Sequence, residues 1–135
     1  MELRSRELFD HVDGVLDMDD IERVHDMRVA SRRLRAVLEL FAPCFPKRRH
    51  RAVLREVKQL ADALGARRDP DVAVASLEAI AAGLTEQDRP GLNGLIAQIE
   101  SERRDGNGGL AGALEAVEES ELHDRLLDLA ARARA

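Results

Sequence analysis

The stretch Asp20-Ile21-Glu22-Arg23-Val24-His25-Asp26-Met27-Arg28-Val29-Ala30-Ser31-Arg32-Arg33-Leu34-Arg35-Ala36-Val37-Leu38-Glu39-Leu40-Phe41 decides the fold. Val24, Met27, Leu34, Leu38 and Phe41 recur at spacings of three, four or their sum. That is the period of an amphipathic α-helix with one buried face. An aspartate run, Asp17-Met18-Asp19-Asp20, precedes it and supplies an N-cap. Pro43-Cys44-Phe45-Pro46 closes it, because proline cannot continue the hydrogen-bond ladder. The spacing therefore predicts a helix over 20–42.

Working outward, the same period recurs on both sides. Leu3, Leu8, Phe9, Val12, Val15 and Leu16 predict a first helix over 3–16. Val53, Leu54, Val57, Leu60, Ala61 and Leu64 predict a third from Lys47 to Leu64, with Gly65 as its C-terminal cap. Asp69-Pro70 reads as an N-cap followed by proline at the first helical position of a fourth helix, which ends near Ala82. Thr85 or Asp88 caps a fifth, carrying Leu92, Leu95, Ile96 and Ile99. Gly106-Asn107-Gly108-Gly109 interrupts that pattern, as a break or as a tolerated weak turn. Helical spacing resumes over 110–133, in one piece or two. No alternating strand pattern is present. The expectation is an all-α, antiparallel bundle of four principal helices plus shorter ones.

Composition agrees with that reading. The chain has 135 residues, 44% hydrophobic and 35% charged, which suits one globular domain over 1–135. Aromatic residues are only 2%, which argues against a β-sandwich or barrel. Cys44 is the single cysteine, so an intrachain disulfide and a multi-cysteine zinc site are both excluded. No apolar run spans a bilayer and the N-terminus has no signal-peptide core, so the expected compartment is the cytoplasm.

The net charge of −5 hides an asymmetry. Residues 23–68 hold 13 Lys+Arg and 4 Asp+Glu, a balance of +9. The remaining 8 basic and 22 acidic residues give −14, and the two sum to −5. A concentrated basic block on an acidic chain points to a polyanion partner at one place.

Within the block two ladders share one spacing. His25, Arg28, Arg32, Arg35 and Glu39 follow steps of 3, 4, 3 and 4, and so do Arg48, Arg51, Arg55, Lys58 and Asp62. At about 100° per residue, each set falls within an arc of roughly 80°. If the two helices are antiparallel neighbours, the ladders can line one shared groove. Arginine presents a fork of donors to phosphate oxygens, and a ladder grips several phosphates at once. The other reading of such a face is a solvated surface laced with salt bridges. Base-specific nucleic-acid readout is disfavoured because no aromatic residue interleaves the block for stacking.

Other candidates are weaker. His25 is either a donor to phosphate or a structural residue near a helix start. His50, among Lys47, Arg48, Arg49 and Arg51, is expected to be a solvated surface histidine. His11 and His123 have no partner at metal-ligand spacing, and no metal or cofactor is expected. Cys44 reads as a packing residue rather than a nucleophile. The acidic clusters Asp17-Met18-Asp19-Asp20 and Glu118-Glu119-Ser120-Glu121 read as caps and solvated faces rather than Mg²⁺ ligands.

At these residues the sequence resembles the CHAD family, the conserved histidine α-helical domains. Val24-His25-Asp26-Met27-Arg28-Val29-Ala30-Ser31-Arg32-Arg33-Leu34-Arg35 looks like its first signature, a His-x-x-Arg start leading to Arg-Arg-Leu-Arg. Leu54, Lys58, Leu60, Leu64-Gly65 and Arg68-Asp69-Pro70-Asp71-Val72 look like its second block. The resemblance implies a helical bundle that binds inorganic polyphosphate through basic residues and has no catalytic activity of its own. Such domains stand alone or beside triphosphate-tunnel enzymes. Carried over, His25, Arg28, Arg32, Arg33 and Arg35 match the first signature, and Lys58 and Arg68 match the second. Arg68 has an equal structural reading, pairing with Asp69 or Asp71. Arg48, Arg51 and Arg55 join the set from the ladder argument alone.

A complete domain of the family has two helical halves related by pseudo-twofold symmetry. His123-Asp124-Arg125-Leu126 lacks the trailing arginines of a second signature, so the chain resembles the N-terminal half. A homodimer, with one half from each copy, is the expected assembly. The leading expectation is polyphosphate binding in the cytoplasm, in association with polyphosphate granules. The rivals are a non-specific nucleic-acid binder and a polyphosphate-acting phosphatase or phosphotransferase.

Overall fold

Short turns between long apolar-striped segments force neighbouring helices to run antiparallel. The computed structural model describes residues 1–18, 20–85 and 87–133, with every side chain among them except that of Asp71. Its helices are α1 (Glu2–Asp10), α2 (Ile21–Leu40), α3 (Lys47–Ala81), α4 (Arg89–Glu119) and α5 (Leu122–Ala131). A 3₁₀ turn, Ala42–Cys44, joins α2 to α3, and no strand forms among the described residues. The protein is an all-α bundle, as its sequence predicts.

The centre of the bundle is α2. The Asp20 carboxylate accepts a hydrogen bond from the Arg23 amide at 3.3 Å, which is the predicted cap. Val24, Met27, Leu34 and Leu38 are fully buried. They meet Val53, Val57, Leu60 and Leu64 of α3, Leu110 of α4, Leu122 and Leu126 of α5 and Leu8 of α1 in one apolar cluster. Each such burial contributes about 2 kcal/mol. Phe41, expected on the same stripe, is 48% exposed because the helix has already ended at Leu40.

Three predicted boundaries are corrected. The first helix stops at Asp10, not at residue 16. Residues 11–16 turn instead, with Gly14 in the left-handed region at φ 81°, and this turn tucks Val15 into the core. Gly65 is not a cap, and Asp69-Pro70 does not start a helix: α3 runs unbroken through both. Gly106-Asn107-Gly108-Gly109 lies inside α4, so of its two readings the tolerated weak turn holds and the break does not.

Packing between α3 and α4 explains the last two. Proline at 70 removes the hydrogen bond that the Ala66 carbonyl would accept. At that point α4 approaches closely: a Cβ on Gly106 would lie 3.1 Å from the Ala66 oxygen and 3.4 Å from the Arg67 Cα. Any larger residue at 106 would have to press the α3 backbone back by a few tenths of an ångström. Beside it, Arg67 has no solvent exposure and its Nε donates to Asn107 Oδ1 at 3.2 Å. The Asn107 amide in turn donates to the Leu16 carbonyl at 3.1 Å, and the Arg103 guanidinium donates to the Met18 carbonyl. These polar contacts tie α3, α4 and the segment between α1 and α2 into one junction.

Outward of that junction the two helices continue as an arm. Among the described residues no member of the central cluster lies beyond Leu64 on α3 or before Leu110 on α4. On the arm Val74 is buried, while Val72, Ile80 and Leu95 stay exposed. At the other end α5 is fixed by Arg49–Asp128 at 2.6 Å and by Arg125–Glu56. His123 stacks on Phe9 with ring centroids 4.3 Å apart, a packing role.

Candidate anion-binding site

The apolar stripe of α2 turns its ladder onto the shoulder of the α2–α3 seam. His25, Arg28, Arg32 and Arg35 line one open groove of about 620 Å³, with Ala61, Asp62, Gly65, Ala66 and Asp69 of α3 on its other side. The α3 wall is built largely from small residues, which leaves the space open. A Cβ on Gly65 would meet nothing within 4 Å, so the groove is open at this point of α3. Ser31, fully buried between Arg28 and Arg32, donates from its hydroxyl to the Arg28 carbonyl at 2.7 Å.

The antiparallel pairing fixes the register of the two ladders. Lys58 Nζ lies 3.8 Å from Glu39 Oε1, and Arg28 Nη1 lies 3.9 Å from Asp69 Oδ1. The ladders are therefore offset and do not face each other along their length. The α2 cations look across at Asp62 and Asp69, while Arg48, Arg51 and Arg55 extend past the C-terminal end of α2. Arg51 there lines a hollow with Pro43, Phe45 and Pro46. Arg48 and Arg55 are exposed on the ladder face of α3. At 1.5 Å per residue, the file from Arg28 to Arg35 and on from Lys58 to Arg48 makes a track on the order of 25 Å long.

The two ladders meet at Glu39. Its Oε1 accepts from Arg35 Nε at 3.0 Å and stands beside Lys58. Hydrogen bonding to Arg35, and the charges of Arg35 and Lys58, hold the Glu39 carboxyl below the usual carboxylate range.

Two sequence candidates lie off the track. Arg33 faces a separate hollow with Glu7, His11 and Asp26, which it shares with His25. Arg68 is half-buried and sits about 100° around α3 from Asp69. The Asp69 carboxylate pairs with Arg28, and Asp71 as a partner for Arg68 lies outside the described residues.

The basic block also holds cations with other work. Arg23 pairs with Asp20, Arg49 with Asp128, and Arg67 is buried at the α3–α4 junction. His50 is corrected outright. It is buried, its Nε2 lies 2.6 Å from the Leu38 carbonyl, and its ring stacks on Phe45. It pins the α2–α3 turn and does not face solvent. Among the described residues no three His, Cys, Asp or Glu side chains gather to hold a metal ion, and no helix is long and apolar enough to cross a membrane.

A helical bundle presenting a file of cations beside a small-residue groove has the charge and the space for an anion to approach. The family model of the CHAD domain matches residues 1–135, and the chain belongs to that family. Membership is consistent with a polyphosphate-related function. No curated protein and no solved structure matches the chain.

Proposed function

We propose that this protein binds inorganic polyphosphate along the track, as a binding module without catalytic activity of its own. The observation that carries this is the gathering of His25, Arg28, Arg32 and Arg35 on one open groove, continued by Lys58, Arg55, Arg51 and Arg48. A linear file of separated cations suits a linear polyanion better than a compact one. Arginine forks and Lys58 take phosphoryl oxygens, and His25 orients the chain at the open end. Arg33 and Arg68 contribute long-range charge only. The setting this implies is the cytoplasm, beside polyphosphate granules.

Chain length is the first test. Contacts made together multiply, so affinity rises with the number of phosphates engaged. Isothermal titration should show triphosphate binding at least about a hundredfold more weakly than a chain of tens of units. Single-stranded DNA should compete poorly, and no phosphate should be released with or without Mg²⁺. Equal affinity for triphosphate and the long chain would replace the track with a compact pocket.

The proposal extends to a homodimer. Val72, Ile80 and Leu95 are 49%, 55% and 45% exposed on the arm, and a second copy covering them removes apolar surface from water. Pairing would bring two basic blocks together, so it should strengthen with salt or with added polyphosphate. Sedimentation at several salt and protein concentrations reads this out. A monomer throughout, unchanged by Val72→Glu with Ile80→Glu, rules the dimer out.

A further inference from the structure

The most concentrated cationic point of the track is already occupied. Arg35 and Lys58 come from different helices and different ladders, yet both approach one oxygen of Glu39, at 3.0 and 3.8 Å. Their convergence on a single anionic oxygen is the arrangement a phosphoryl oxygen would require. The trio is not buried: the side chains of Arg35, Lys58 and Glu39 are 43%, 43% and 45% exposed. Such an ion pair adds little to stability, so folding alone gives a weak reason for the carboxylate to be there. Elsewhere the track is less encumbered. Arg28 has only a long contact of 3.9 Å to Asp69, in a pair whose side chains are 50% and 76% exposed.

The geometry points to Glu39 as an internal competitor that occupies a phosphoryl position between Arg35 and Lys58. This inference rests on the polyphosphate reading and adds to it a residue that sets the affinity of the track for every phosphate ligand. A bound chain must displace the carboxylate, or pass it with its charge unrelieved. That cost is fixed, whatever the length of the ligand. A long chain, held at both sides by Arg28, Arg32, Arg55 and Arg51, presents its phosphates to the clamp at high effective concentration and absorbs the cost. A short phosphate compound has few other contacts, and the same cost leaves it largely unbound at the concentrations where a long chain saturates. The carboxylate thus raises the concentration at which any phosphate compound fills the groove.

The test is titration calorimetry of the full chain with sodium triphosphate and with long-chain sodium polyphosphate. Glu39→Gln is compared with wild type, with Glu118→Gln, a distant exposed carboxylate, and with the double variant Glu39→Gln/Lys58→Gln. Removing one unit charge at about 4 Å in water should tighten triphosphate about fivefold, and long-chain polyphosphate by a similar factor. The slope of log affinity against log salt should steepen by about 0.7–0.9, because one more phosphate contact now releases counterions. Glu118→Gln should leave affinity and slope within about twofold and 0.2 of wild type. The double variant should lose the gain, since the vacated position needs both cations.

An unchanged or weaker affinity in Glu39→Gln overturns the inference and makes Glu39 a residue that holds Arg35 and Lys58 in place for the ligand. A gain that survives in the double variant overturns it too, by moving the opened position away from Lys58. Wild type that fails to bind long-chain polyphosphate at low salt sinks the underlying reading, and this inference with it. Binding by wild type with no gain in Glu39→Gln sinks the inference alone.

Discussion

Reversing four charges on the track, Arg28→Glu, Arg32→Glu, Arg51→Glu and Arg55→Glu together, abolishes binding of long-chain polyphosphate. Each cation that neutralises a phosphate contributes about 0.7–0.9 to the salt slope, and four such contributions are lost. Four new anions then repel the chain along its whole length. The combined loss is expected to exceed about a thousandfold at moderate salt. The fold should survive, because all four side chains are exposed while Val24, Met27, Leu34 and Leu38 keep the buried stripe. The Arg28–Asp69 contact that disappears is a long, exposed one and contributes little. The matched control reverses Arg6, Arg89, Arg104 and Arg132, which are exposed and stand off the track. Circular dichroism checks helicity in both sets, and titration calorimetry measures binding. Equal loss from the two sets would mean that net charge, and not the track, governs affinity.

The second large effect is on stability, at the α3–α4 junction. Gly106→Leu should lower the unfolding free energy by about 2–4 kcal/mol. Its first added carbon falls 3.1 Å from the Ala66 oxygen and 3.4 Å from the Arg67 Cα, and backbone cannot step aside as a flexible side chain can. Arg67→Ala should cost about 3–5 kcal/mol, from the cavity left behind and the lost hydrogen bond to Asn107. For a domain with about 5–15 kcal/mol in total, either change removes much of the margin. Gly108→Ala and Gly109→Ala are the contrast. A Cβ at either position meets nothing within 4 Å, so the helix should gain about 0.5–1 kcal/mol. Urea denaturation of the four variants reads the difference. If Gly106→Leu and Gly108→Ala behave alike, the close approach at residue 106 is not what holds the helices together.

That junction also marks where sequence reasoning stopped. The α2 boundaries, its cap at Asp20 and its buried stripe were legible because they depend on local period and local chemistry. Pro70 is a local signal of the same kind and it misled, while the Gly106–Gly109 run left a break and a tolerated turn equally open. What keeps both helices continuous is each other's surface, and Ala66 meets Gly106 across 40 residues of chain. His50 misled for a similar reason. Its neighbours in sequence are cations, but its partners are the Leu38 carbonyl and the Phe45 ring.

Arg67 was visible in principle. Val53, Val57, Leu60 and Leu64 step by four, three and four, and the next step of three lands on Arg67. Its place on the core face was written in the spacing and was masked by its charge. The groove was half legible. The shared spacing of the ladders put His25, Arg28, Arg32 and Arg35 on one face, as the structure does. The offset between the ladders needed the register of two packed helices, which no spacing within one helix contains.

The central claim is that polyphosphate lies along the α2–α3 track. Its most direct test is a nuclear magnetic resonance titration of the arginine side-chain Nε–H groups in the wild-type chain with long-chain polyphosphate at low salt. The account predicts large, saturable shifts at Arg28, Arg32, Arg35, Arg51 and Arg55, with Arg67, Arg89 and Arg104 unmoved. Shifts spread evenly over all exposed arginines, or gathered away from α2 and the first half of α3, would contradict it.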